Sequence, residues 1–372
     1  MQEKLTDIIA RETFGKNCGA GKFTLSDSES QDTEEISQTV FTHSAEPSNT
    51  SKYTDLLPIS RKLSSSGSQL LTYFLDGSRR VFKAGEISYS RTVYPVIAGQ
   101  ISAGACRRVS RRLVPEILRR EIVIAVPDIA SPDSNVPGFF PAIARKLSDS
   151  PAIKRRGLEI SAVITYPSAK DSRNTSYEDK ATIAVQERMI QREKEITESL
   201  VRKLNHRNYL VKDGSLEYRK KSQLPNANYR WVIGLSKSFS RESCRNYQGK
   251  IDQEYIAELP PYHRTRAVIY RNPEIFGDTE FAVWYIRLHE RGKSAFAGIV
   301  KAEKMLITQS ERGKHEIDSA EIDTLSAYIL NERNPVCYGN DPRWAGHIYP
   351  VYLTEKYIKS RYISAESFLH MF

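Results

Sequence analysis

Two stretches constrain this chain more than any others. Leu70-Leu71-Thr72-Tyr73-Phe74-Leu75 is an almost wholly apolar run of strand-forming residues, and it closes on Asp76-Gly77-Ser78, followed by Arg79 and Arg80. Such a run reads as a buried strand that delivers a carboxylate to its exit turn. The same triplet also reads as a plain hairpin turn, in which glycine supplies a positive φ. The pattern then recurs, because Asn208-Tyr209-Leu210-Val211-Lys212 closes on Asp213-Gly214-Ser215. Two such ends in one sheet set two carboxylates side by side. Close carboxylates repel unless a cation lies between them, so the pair predicts a hard divalent metal with oxygen ligands.

The bulk of the chain bounds what surrounds that pair. Its 372 residues, 40% of them hydrophobic, suffice for one large domain with insertions. Residues 1–68 read as a polar, largely flexible N-terminal region and 69–372 as the catalytic domain. The net charge of +10 suits a polyanion such as DNA, and equally a solvated charged surface. Cys18, Cys106, Cys244 and Cys337 are far apart, which argues against a zinc ribbon or a disulfide scaffold and for a reducing, cytoplasmic setting. The first ten residues carry acids and do not resemble a secretory signal, and no apolar run is long enough to span a membrane.

Along the chain, residues 1–12 fit a short helix with Leu5, Ile8 and Ile9 on one side. Gly15 to Thr24 looks like a phosphate-binding loop only superficially: Lys16 stands where the first glycine belongs and Phe23 where a Ser or Thr would meet magnesium. Residues 25–69 are rich in Ser, Thr, Asp, Glu and Asn, a composition that predicts flexibility, with a short strand near Gln38 to Thr42. The opening strand, Val81 to Ile87 and Thr92 to Ala105 then predict three consecutive antiparallel strands. Arg107, Arg108, Arg111, Arg112, Arg119 and Arg120 follow within fourteen residues. They read either as a solvated face or, lacking a matching acidic set, as a phosphate-contact surface. Further strands are expected at Glu121 to Val126 and Leu158 to Tyr166, with a helix at Phe139 to Leu147.

Residues 178–205 contain no Gly or Pro and predict one long helix. Met189, Ile196, Leu200 and Leu204 share one stripe, and Glu193 falls on it. An acid on the core face, twenty residues before Asp213, is placed to join the same site; at the stripe's margin it would only form helix ion pairs. Glu187, Glu195 and Glu198 read as solvent-facing. After the basic run Arg219-Lys220-Lys221, a strand over Tyr229 to Ser238 carries Lys237 at its end, positioned to touch a phosphate or to be surface. Strands at Arg266 to Tyr270, Phe281 to Leu288 and Ser294 to Lys301 and a helix over Asp318 to Asn331 complete the set. His347 to Ile358 opens a last helix at Tyr349-Pro350.

Two Asp-Gly-Ser strand ends, a helix acid upstream of the second, Gly234-Leu235-Ser236-Lys237, and Tyr349-Pro350 opening a C-terminal helix, in this order, resemble the NurA family of nucleases. The resemblance covers about residues 69–365 and implies an α/β fold, a ribonuclease H-like mixed sheet flanked by helices with inserted elements. It further implies a manganese- or magnesium-dependent 5′ to 3′ exonuclease and single-strand endonuclease on DNA. A homodimer partnered by a HerA-like hexameric ATPase, acting in end processing or defence, would follow. Carried over by residue, it places Asp76, Glu193 and Asp213 in the metal site with Lys237 and Tyr349 beside it, and Arg79, Arg107, Arg108, Arg111 and Arg112 on the nucleic acid. Many family members carry a His or Asp where this chain has Tyr357, so either Glu355 supplies that ligand or a second metal is weakly held. The alternative is a non-catalytic nucleic-acid-binding subunit of such a complex.

Overall fold

Runs of β-branched and aromatic residues make this a sheet protein first. The computed structural model describes residues 3–19, 21–26, 40–47, 51–131, 137–169, 175–216, 227–271, 279–292, 294–333 and 346–372. Four short strands come early: β1 (Lys16–Asn17), β2 (Phe23–Ser26), β3 (Val40–Ser44) and β4 (Tyr53–Asp55). Three long ones follow: β5 (Leu71–Tyr89), β6 (Thr92–Val109) and β7 (Arg112–Pro127). The remainder are β8 (Ala162–Tyr166), β9 (Tyr209–Asp213), β10 (Val232–Ser236), β11 (His263–Thr265), β12 (Val268–Arg271), β13 (Glu280–Arg287) and β14 (Ile299–Met305). All belong to one mixed sheet whose main path runs β3-β12-β13-β14-β10-β9-β5-β6-β7-β8.

The helices are α1 (Leu5–Glu12), α2 (Leu57–Ser66), α3 (Phe139–Asp149), α4 (Pro151–Lys154), α5 (Tyr177–Val201), α6 (Gln253–Ala257), α7 (Gln309–Lys314), α8 (Ser319–Asn331), α9 (Tyr349–Lys359) and α10 (Ala365–Leu369). The longest, α5, starts where Ser176 accepts the amide of Asp179 and two acids sit in the first turn, both favourable at a helix N-terminus. Helix α9 starts at Tyr349-Pro350, where a proline lacks no hydrogen bond because first-turn amides have no helical acceptor.

At the centre of the sheet, β5, β6 and β7 form an antiparallel meander. On the other side of β5, strands β9 and β10 continue the sheet in parallel. Strand β6 is buried without a break from Tyr94 to Cys106, so both of its faces are covered. A Cβ on Gly99 would meet Val185 of α5, whereas one on Gly104 would meet Ile358 of α9. An odd separation along a strand means opposite faces, so α5 and α9 sandwich the meander.

The structure revises three expectations. Asp76-Gly77-Ser78 is no turn: β5, nineteen residues long, runs straight through it, paired with β6 on either side of Asp76, which lies inside the strand. The antiparallel trio is therefore β5, β6 and β7. Nor do the described parts of the first 68 residues stand apart from the fold. Leu5, Ile8 and Ile9 of α1 lie in the core beneath the meander, β1 and β2 add to β5, and β3 and β4 pair with β12 and β11. Polar composition misled here because these segments borrow apolar partners from the sheet. The Gly15 to Thr24 stretch contributes β1 and β2. The Arg219-Lys220-Lys221 run and Cys337 lie outside the described residues. Among those described, no helix is long and apolar enough to cross a membrane.

Candidate active site

Register brings the two aspartates together. Strand β5 pairs with β9 so that Leu75 lies beside Lys212, and the next residues on each strand are Asp76 and Asp213. Residues neighbouring across a parallel pair share a face, here the α9 face. Strand β10 adds the third component: Leu235 lies beside Asp213, and two residues on, Lys237 points the same way. Its ammonium is 2.9 Å from Asp213 Oδ2 and 3.7 Å from Glu355 Oε2 of α9. The Asp213-Gly214 end is a true strand end, with Gly214 at φ +86° and its amide bonded to the Leu235 carbonyl at 2.9 Å.

Asp76 is 5% exposed. Its Oδ1 accepts the amide of Gly77 at 2.8 Å, while its Oδ2 is buried with no hydrogen-bond partner. Burial first, then the charge of Asp213, with smaller contributions from Glu355 and Glu193, push the Asp76 carboxyl well above the usual range, against the opposing pull of Lys237. Burial by itself would lower the Lys237 ammonium, but Asp213, Asp76 and Glu355 outweigh it and hold it above the ordinary lysine value. Glu355 is raised by burial yet ends low, because Lys237, Lys359 and His347 favour its ionised form. Residues 355 and 357 lie about 200° apart around a helix. Glu355 therefore faces Lys237, while the Tyr357 ring lies 5.9 Å beneath Arg361.

Glu193 comes from the α5 side, 4% exposed. Its carboxylate lies against the backbone of Gly77, the residue after Asp76; a Cβ on Gly77 would overlap its Oε1. Its Oε2 is 3.1 Å from Lys212 Nζ, which also donates to the Asp213 carbonyl at 3.0 Å. The acids thus approach Asp76 from both faces. Glu187 and Glu198 are exposed, and Glu195 pairs with Arg192. Tyr349 opens α9 with its side chain 50% exposed and its ring 6.4 Å from that of Tyr352.

Two features had weak signals in sequence. Gly77 serves close approach of a carboxylate rather than a turn. Below Asp213 on the α5 face, Glu303 of β14 takes Ser215 Oγ at 2.8 Å and the Leu216 amide at 2.9 Å, and pairs with Lys301 at 2.8 Å. This anchors the loop that leaves the site. Lysines and a glutamate inside apolar strand runs were the available hint.

The arginines divide. Arg79 is buried, so it is not the surface contact expected of it. Arg108 pairs with Glu332 and covers the Phe74 ring at 5.2 Å, and Arg107 pairs with Glu116 at 3.1 Å, so one distant acid and one from within the stretch match part of the cluster. Arg111 and Arg112 stand exposed at the β6–β7 turn.

No protein-family model matches this chain, and no curated protein matches it significantly. Among solved structures it is similar to the crystal structure of the NurA nuclease from Sulfolobus solfataricus, at a TM-score of 0.41 and 11% identity, over 81% of this chain and 86% of that one. That likeness carries no weight for the site, which rests on its own residues.

The donor set suits a hard divalent cation: the acids offer carboxylate oxygens, and Asp76 Oδ2 is buried without a partner. Among the described residues, no three His, Cys, Asp or Glu side chains are grouped closely enough to share one ion as they stand. Lysines face Asp213 and Glu193 instead.

Proposed function

We propose that this protein is a divalent-metal-dependent deoxyribonuclease that hydrolyses phosphodiester bonds on a ribonuclease H-like core. The observation that carries the reading is Asp76, a buried carboxylate with one oxygen unpartnered, placed where Asp213, Glu193 and Glu355 converge with Lys237. An antiparallel meander whose first strand is continued by two parallel strands supports the core assignment. Asp76, Glu193 and Asp213 would hold manganese or magnesium, with Glu355 beside them. A cation so held supplies Lewis-acid polarisation of the scissile phosphate and a more acidic bound water.

The chain's own residues do the remainder. Asp76 lies deep in the site, so that a phosphate reaches it only by leaving bulk water, which strengthens every charge interaction there. Lys237 stays protonated and offers a fixed positive charge toward phosphate oxygen. Tyr349, half exposed at the start of α9, lies on the solvent side from which a strand would approach. Arg107, Arg111 and Arg112 give the exposed positive surface. The 5′ to 3′ polarity, single-strand cutting, homodimer and HerA-like ATPase belong to the same reading and rest on the sequence resemblance.

Cleavage of end-labelled single- and double-stranded DNA with manganese, magnesium or chelator, with wild type beside Asp76→Asn, tests the reading. Metal-dependent cutting that the variant loses is the expected result. Cutting that persists in Asp76→Asn overturns the site assignment. DNA binding without cutting, even with a HerA-like ATPase added, would favour a non-catalytic subunit.

A further inference from the structure

Resting on that reading, we infer that Lys237 is a built-in counter-cation that takes the place of a second divalent ion, so that each chain holds one such ion, at Asp76. A two-ion site needs two cations about 3.5–4 Å apart that share carboxylate oxygens. Here one of the bridging positions is already filled by an ammonium. Lys237 Nζ lies 2.9 Å from Asp213 and 3.7 Å from Glu355, the carboxylates that flank Asp76 on its own face of the sheet. The lysine is also not free to withdraw. It follows Ser236, which is paired with Lys301 of β14, and its Cβ packs 3.7 Å from where a side chain on Gly346 would begin.

Charge matching leads to the same count. Glu355 has Lys359 as well as Lys237, and Glu193 has Lys212. Among the described residues Asp76, 5% exposed, is the carboxylate of this set with no lysine in ion-pair range; its Oδ2 is buried without a hydrogen-bond partner, whereas the likewise unbonded Glu355 Oε2 has the Lys237 ammonium 3.7 Å away. Three lysines thus face four carboxylates, which leaves about one negative charge for a metal to meet. A single divalent ion answers that charge, whereas a second would be forced against the Lys237 ammonium with no carboxylate left to offset it. The departure at Tyr357 fits, since the acid nearest that position, Glu355, is engaged by lysines.

The test counts bound Mn2+ on the full chain, stripped with chelator and titrated while the electron paramagnetic resonance signal of free Mn2+ is followed. Wild type is expected to bind one ion per chain, Asp76→Asn none, and Lys237→Met two. Because Lys237→Met leaves carboxylates unpaired and risks misfolding, the double variant Asp213→Asn with Lys237→Met removes the pair together; it is expected to fold and to bind one ion. Two ions in wild type, or a count that stays at one in folded Lys237→Met, overturns the inference while leaving the metal reading in place. No Mn2+ binding by wild type removes the metal reading itself, and this inference with it.

Discussion

Gly77 and Asp76 concentrate the chemistry of single residues. At Gly77 the issue is space: any Cβ would overlap Glu193 Oε1 in a packed interior. Gly77→Ala is expected to cost about 1–3 kcal/mol by overpacking. A thermal melt should show the lower Tm, and Glu193→Ala in the same chain should recover much of it; a deficit left unchanged in the double variant would place the strain elsewhere. At Asp76 the issue is charge. Its folded pKa is raised above the unfolded value, chiefly by burial and by Asp213. The folded state therefore keeps its proton to higher pH, so this stability is fully present below the unfolded pKa and is lost as pH rises through the folded one. In chelator, wild type should lose Tm as pH rises above the ordinary carboxylate range, and Asp76→Asn should show a flatter profile and a higher Tm at the upper end. Parallel profiles would mean that Asp76 is not the group responsible.

Between elements, buried ion pairs tie early and late segments together at the β3–β12–β13 end of the sheet. Arg264 of β11 is fully buried and holds Glu46 through two bonds of 2.8 and 2.9 Å and Asp323 of α8 at 2.6 Å. Glu46 also accepts the Ala267 amide at 2.6 Å. A segment that reads as flexible by composition thus carries the partner of a buried guanidinium. Removing Glu46 leaves the buried Arg264 with Asp323 alone and the Ala267 amide unpaired, so Glu46→Ala is expected to destabilise by about 3 kcal/mol. In urea the midpoint should fall with little change in m, whereas an unaltered midpoint would mean that Arg264 finds another anion. On the neighbouring strand, Arg287 of β13 binds four backbone carbonyls, those of Leu259, Ala257, Ala295 and Ala297. Burial, with Arg291 nearby, pushes its pKa down to about 10.

For the molecule as a whole, the net charge of +10 becomes specific only through where arginines remain uncommitted to acids. Arg111 and Arg112 project from the β6–β7 turn, just beyond Arg107 of β6, which pairs with Tyr73 three residues before Asp76 on β5. Arg111→Glu with Arg112→Glu is expected to weaken single-stranded DNA binding and to make the log-log salt dependence shallower by about 1.4, at roughly 0.7 for each phosphate that is no longer neutralised. Fluorescence anisotropy across a salt series measures both, and an unchanged slope would place the DNA elsewhere. The same substitutions lie far from the core and should leave Tm within about 0.5 kcal/mol of wild type in equivalent stability.

Local pattern alone determined much of this protein. The apolar runs set β5, β6, β9 and β10, the unbroken helix-former composition set α5, Tyr349-Pro350 set the start of α9, and the repeated Asp-Gly-Ser triplet marked both aspartates, because each of these depends on neighbours within a few residues. What the tertiary structure decided is how they meet. A strand running through Asp76 rather than stopping there, a glycine kept bare for a carboxylate from across the sheet, and lysines answering all but one of four acids depend on register and on packing between separate elements, as Gly77 with Glu193 and Lys237 with Glu355 do over more than a hundred residues. Composition carries no record of either, because the same side chain is solvated or buried according to which distant strand lies beside it.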